Sequence, residues 1–120
     1  MQLKEIQRDA YSIANDKGLH DNLVPLPLRE QTLIRLALVH TEVSEAMQLV
    51  KCSGVSSEIF DALGEELADV VIRVCELAEH FTLDLDACVY DKLAKNRLRP
   101  QYYGTPWEHT DDVCGRLEGP

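Results

Sequence analysis

Apolar residues along the chain recur at helical spacing in four stretches. From Gln2 to about Lys17 they are Leu3, Ile6, Ala10, Ile13 and Ala14, and Gly18 supplies a C-terminal stop. The stretch "LHDNLVPLPLRE" carries Pro25 and Pro27 and reads as an extended connection. A second helix, from about Leu28 to Lys51, is apolar over most of its circumference and leaves a polar arc of His40, Ser44, Gln48 and Lys51. "KCSGVSSE", with one Gly and three Ser, is the turn that follows. A third helix runs from about Ser57 to His80, capped by Ser56 or Ser57, with an apolar stripe of Ile59, Leu63, Val70, Val74 and Leu77. A fourth spans about Asp84 to Leu98, with Thr82 or Asp84 as cap and Pro100 as terminator. The expected architecture is all-α, with a helical domain over residues 1–100 and an irregular C-terminal tail over 101–120.

Two acidic pairs break this pattern. Glu42 and Glu45 fall on the side of the second helix that carries Ile34, Leu38 and Leu49, away from its polar arc. Glu66 and Asp69 lie beside the apolar stripe of the third helix, whereas Glu65, Glu76 and Glu79 read as solvated charges on its outer arc. The carboxylates of each pair are three residues apart, so on a helix they stand one turn above each other and point the same way. Arg73, four residues after Asp69, shares that face and can brace a carboxylate or touch a phosphate.

The turn between the helices sets the two pairs at matching heights. Glu45 and Glu66 each lie roughly 10 to 13 Å from it, at ~1.5 Å per residue. In an antiparallel hairpin, Glu42, Glu45, Glu66 and Asp69 therefore face one another. Converging carboxylates repel and lose hydration, a cost offset by a cation or a shared proton. An all-oxygen donor set suits a hard divalent ion, Mg²⁺ before Mn²⁺.

Composition narrows the function classes. The chain has 120 residues, 45% apolar and 28% charged, as expected of one globular domain. A formal net charge of −9 with 12 Lys and Arg argues against a nucleic-acid polymer as partner. The basic residues that do cluster are Lys92, Lys95, Arg97 and Arg99. Lys92, Lys95, Asn96 and Arg97 read either as a basic helix end that complements the helix dipole or as groups that hold phosphates.

Cys52, Cys75, Cys88 and Cys114 show no C-x-x-C spacing, so neither a zinc site nor a disulfide framework is expected. The charged start "MQLKEIQRDAYS" is unlike a signal peptide, and no apolar run approaches membrane-spanning length, which makes the cytoplasm the expected compartment. His20, His40, His80 and His109 read as surface or boundary residues, and none forms E-x-x-H with the acidic pairs, which disfavours a di-iron bundle. Serine-hydrolase, P-loop and dinucleotide-binding signatures are absent. Tyr102, Tyr103 and Trp107 in the tail read as packing residues before base-stacking ones.

Taken together, "HTEVSEA", "GEELADVVIRVCELA" and "LDACVYDKLAKNRLRP" resemble the MazG-like nucleotide pyrophosphohydrolases of the all-α NTP pyrophosphatase superfamily. That superfamily is marked by E-x-x-E, a spacer and E-x-x-D, followed by a stretch containing Lys and Asn at the end of the next helix. The spacer between Glu45 and Glu66 is 20 residues here, and the resemblance covers roughly residues 1–100. It implies a four-helix bundle completed by oligomerisation, as a homodimer or dimer of dimers. It also implies Mg²⁺-dependent hydrolysis of a (deoxy)nucleoside triphosphate to the monophosphate and pyrophosphate. Glu42, Glu45, Glu66 and Asp69 would be metal ligands, one of them also orienting water, and Lys92, Lys95, Asn96 and Arg97 would contact phosphates or sugar. Related alternatives are a phosphoribosyl-ATP pyrophosphohydrolase and a dimeric all-α dUTPase. An alternative from another class is a non-enzymatic helical oligomerisation or regulatory module.

Overall fold

The computed structural model describes residues 2–100, which are helical with no strand among them. The helices are α1 (Leu3–Asp16), α2 (Leu28–Ser53), α3 (Phe60–His80) and α4 (Leu85–Leu98). The tail expected to be irregular, with Tyr102, Tyr103, Trp107, His109 and Cys114, lies outside the described residues. The chain divides into two compact units, Met1–Cys88 and Val89–Pro120. In the first, α3 packs against both α1 and α2. No helix among the described residues is long and apolar enough to cross a membrane.

Local chemistry fixes the helix ends. After α1, Gly18 takes φ +69°; its N–H donates to the Asn15 carbonyl (3.1 Å) and the Leu19 N–H to the Ala14 carbonyl (3.0 Å). This reversal needs a left-handed residue, which glycine supplies without strain. The same pair of bonds ends α3, with Thr82 at φ 53° in the glycine position. Of the two expected caps for α4, Asp84 is the one used, accepting from the Ala87 N–H at 3.1 Å. Asp86 in turn accepts from the Leu3 and Lys4 N–H groups at 3.2 and 3.1 Å, placing a carboxylate on the positive end of α1.

Two expectations are corrected here. The connection from Leu19 to Pro27 is coiled rather than extended: Asp21–Leu23 forms a 3₁₀ turn, and Leu23, Val24 and Leu26 each donate to the carbonyl three residues back. The prolines tolerate this because their missing N–H groups fall where none is needed. At the start of α3, neither Ser56 nor Ser57 makes a side-chain cap; a 3₁₀ turn, Ser57–Ile59, leads into the helix instead.

Gln7 ties α1 to the segment between α3 and α4. It is 1% exposed, and its amide nitrogen donates to the Leu83 carbonyl (2.8 Å) and to Glu79 (3.2 Å), while its oxygen accepts from the Leu85 N–H (3.1 Å). Glu79, expected to be solvated, is thus half-buried and engaged. Gln7→Met keeps the shape but strands a carbonyl and an N–H. It is expected to cost about 2 to 4 kcal/mol in urea denaturation.

The buried apolar residues among those described are small: Ala10, Ala14, Ala46, Cys75 and Ala78, with Leu23 and Ile59 the only large ones. Larger residues remain outside. Leu33, Leu36, Val43 and Met47 line one exposed stripe of α2, and Phe60, Leu67 and Val71 another on α3.

Candidate metal centre

The hairpin of α2 and α3 brings three of the four expected ligands together. Glu42 and Glu45 from α2 and Glu66 from α3 each offer a carboxylate oxygen within 4.8 Å of the other two. Asp69 is half-buried and outside that set, but its charge still acts on Glu45. Glu42 is 13% exposed, as its position in the buried phase requires, whereas Glu45 lies exposed at the rim. Its departure from the expected burial has a geometric cause: three residues on a helix turn by about 300°, which carries Glu45 about 60° away from Glu42.

The cluster repels itself in a way that a cation relieves. The Glu45 carboxyl is held above its ordinary value of 4.5, first by its side-chain interaction with the Glu42 carboxyl. The charge of Glu42, then burial, then the charges of Glu66 and Asp69 act in the same direction. Glu66 Oε2 is buried with no hydrogen-bond partner among the described residues. A hard divalent cation would satisfy that oxygen and offset the repulsion among the carboxylates, so the donor set fits Mg²⁺ or Mn²⁺.

The sign of the pH dependence follows. A carboxyl whose folded-state pKa is raised binds its proton more tightly when folded. Glu45 therefore favours the metal-free fold at low pH, a contribution lost as pH rises through the raised value. His80 acts oppositely: burial, then the charges of Arg35 and His20, lower its pKa below 6.5. Its contribution is present above 6.5 and lost as pH falls. The difference in melting temperature between wild type and Glu45→Gln isolates the first effect. The metal-free variant is expected to gain on the wild type as pH rises above 4.5, and saturating Mg²⁺ to reverse the order.

Arg73 braces the cluster, and what stands behind it departs from expectation. Its Nε donates to Glu42 Oε1 at 3.2 Å and its Nη1 to Glu76 Oε2 at 2.9 Å. Burial pulls the Arg73 pKa down, but the hydrogen bonds and charges of Glu76 and then Glu42 outweigh this and raise it. Glu76, expected on the solvated arc, is 3% exposed, and its other oxygen pairs with Nε2 of His20, itself 7% exposed and expected at the surface or its boundary. A buried carboxylate is tolerable here because both of its oxygens accept from strong donors. Arg35 is also buried, and its Nε and Nη1 have no acceptor among the described residues.

Lys92, Lys95, Asn96 and Arg97 are exposed residues of α4 in the second compact unit. Cys52 and Cys88 are exposed free thiols, and Cys75 is a buried one whose pKa is pushed up by burial and then by Asp86. His40 is exposed as expected. Beside Arg73, a groove of about 400 Å³ opens along α1 and α3, walled by Ile6, Ala10, Ile13, Leu19 and Ile72. Comparison with known proteins returned no match to a family model, a curated protein or a solved structure.

Proposed function

We propose that the chain is a Mg²⁺-dependent nucleoside triphosphate pyrophosphohydrolase of the MazG-like kind. It would convert a (deoxy)nucleoside triphosphate and water to the monophosphate and pyrophosphate, in the service of nucleotide-pool housecleaning in the cytoplasm. The observation that carries this reading is the convergence of Glu42, Glu45 and Glu66 from two helices, with a buried carboxylate oxygen left unpaired.

Glu42, Glu45 and Glu66 would hold the metal, with Asp69 adding charge at the edge of the set. Bound there, the ion supplies charge neutralisation for the triphosphate and a water of lowered pKa. The protein's own part is positioning. Arg73 fixes one oxygen of Glu42 and leaves the other for ligation. A carboxylate of the set that is not fully engaged, with Glu45 at the exposed rim the best placed, accepts the proton of the attacking water. Lys92, Lys95, Asn96 and Arg97 are the candidates to hold phosphate oxygens and to take the charge that develops on departing pyrophosphate. The apolar groove beside Arg73 has the size to shelter a nucleobase. The functional unit is a homodimer or dimer of dimers.

The exposed stripes of α2 and α3 also suit a helical oligomerisation module without catalysis. The deciding experiment is Mg²⁺-dependent release of pyrophosphate and monophosphate across a panel of canonical and modified nucleoside triphosphates, with phosphoribosyl-ATP and dUTP included. Release confined to one of the last two substrates would move the assignment to the corresponding relative. No release from any substrate would leave the oligomerisation module.

A further inference from the structure

We infer that Glu76 and His20 are positioning residues for the acidic site, acting through Arg73 on the Glu42 carboxylate. The inference rests on reading Glu42, Glu45 and Glu66 as a metal site, and deepens it.

The chain of contacts starts in the connection after α1. Gly18 reverses the chain at φ +69°, and the 3₁₀ turn Asp21–Leu23 follows, so His20 is carried inward between two fixed turns. Its Nε2 meets Glu76 Oε1. Glu76 Oε2 accepts from Arg73 Nη1 at 2.9 Å, and Arg73 Nε donates to Glu42 Oε1 at 3.2 Å. Each link uses a different atom of the group it passes through. Glu76 therefore works as a two-ended clamp, and Arg73 is held by two edges of its guanidinium at once.

Burial makes the clamp stiff. Glu76 is 3% exposed and His20 7%, so neither has water as an alternative partner. Arg73 at 25% and Glu42 at 13% would be free to choose other rotamers if Arg73 had only one anchor. Glu42 is the residue for which this matters most. It offers a carboxylate oxygen within 4.8 Å of oxygens of Glu45 and Glu66, and its orientation decides which oxygen the set presents. Groups that orient a ligand from behind are worth roughly 10- to 100-fold in metal affinity or activity.

The geometry also separates positioning from charge. A lysine at position 73 keeps the positive charge, but one ammonium on a flexible stem cannot reproduce donors on two edges of a rigid plane. Were Arg73 needed only as a cation, Arg73→Lys would be mild.

The test uses Mn²⁺ alone as the probe, with binding followed by electron paramagnetic resonance and calorimetry, in wild type, Glu76→Gln, Arg73→Lys, His20→Gln and His20→Leu. Expected results are about tenfold or greater weakening in Glu76→Gln and Arg73→Lys. In turnover assays kcat should fall more than KM rises. His20→Gln, which keeps a donor near the Nε2 position, should recover part of the affinity that His20→Leu loses. Circular dichroism and melting temperature report whether each variant folds. Should Glu76→Gln not fold, Arg73→Lys at its half-buried position decides alone. Wild-type Mn²⁺ affinity in Arg73→Lys, or tighter binding, would overturn the inference while leaving the metal site standing. Absence of Mn²⁺ binding in wild type would overturn both.

Discussion

Glu45→Gln is expected to lower Mg²⁺-dependent turnover of a nucleoside triphosphate by on the order of a thousandfold while leaving the helical circular dichroism signal unchanged. The substitution keeps the side chain's size and removes one negative charge from a set whose oxygens lie within 4.8 Å of one another. Because Glu45 is exposed, no packing is lost. Because its neighbours oppose its ionisation, the metal-free fold loses repulsion rather than attraction. A damaged fold and a damaged site therefore leave opposite signatures: here the metal-free protein should melt no lower than wild type, yet activity should vanish. Asp69→Asn, outside the close set, is expected to lose activity less severely. Initial rates at saturating Mg²⁺ with pyrophosphate detection check both, and near-wild-type activity in Glu45→Gln would remove it from the site.

The acidic hairpin was legible because its geometry is local. Spacing within each helix and distance from one turn settle where Glu42, Glu45 and Glu66 meet, and both quantities can be counted along the chain. Helix stops were legible for the same reason at Gly18, where only backbone conformation is involved. Thr82 shows the limit: a β-branched residue in a left-handed turn is held by the hydrogen bonds that close α3, from the Thr82 N–H to Glu79 and the Leu83 N–H to Ala78, not by its own preference.

Glu76 and His20 mark where sequence reasoning fell short. Glu76 stands about 60° around the helix from Arg73, so the i, i+3 relation did carry a signal that it belongs with Arg73 rather than on the solvated arc. Nothing comparable exists for His20. It sits in an irregular connection, and its partner lies 56 residues away, so only the tertiary fold brings it to Glu76. The expectation of an extended connection hid it further, since an extended strand would have carried the imidazole past α3.

Met47→Glu and Val71→Glu are each expected to break the homo-oligomer proposed above into monomers and to lower the melting temperature sharply. The described residues of the single chain bury little: the buried apolar ones are mostly alanine, while Leu33, Leu36, Val43 and Met47 on α2 and Phe60, Leu67 and Val71 on α3 are exposed. On α2 the spacing is three, seven and four residues, and on α3 seven and four, which keeps each set on one face of its helix. These side chains are 40 to 59% exposed, so covering one contributes roughly half of the about 1.5 to 3 kcal/mol of full burial, and together those of a symmetric pair are of the size needed to offset the cost of association estimated for proteins. A symmetric pairing meets each stripe with a copy, so one substitution introduces two like charges into the same interface. Size-exclusion chromatography with light scattering, at several protein concentrations, reads the outcome. Gln48→Glu, an exposed and nearly isosteric change off the stripe, is the control for added charge. A wild-type chain that is monomeric at every concentration would show that the stripes are covered in some other way. It would also leave the acidic hairpin as a site that one chain completes alone.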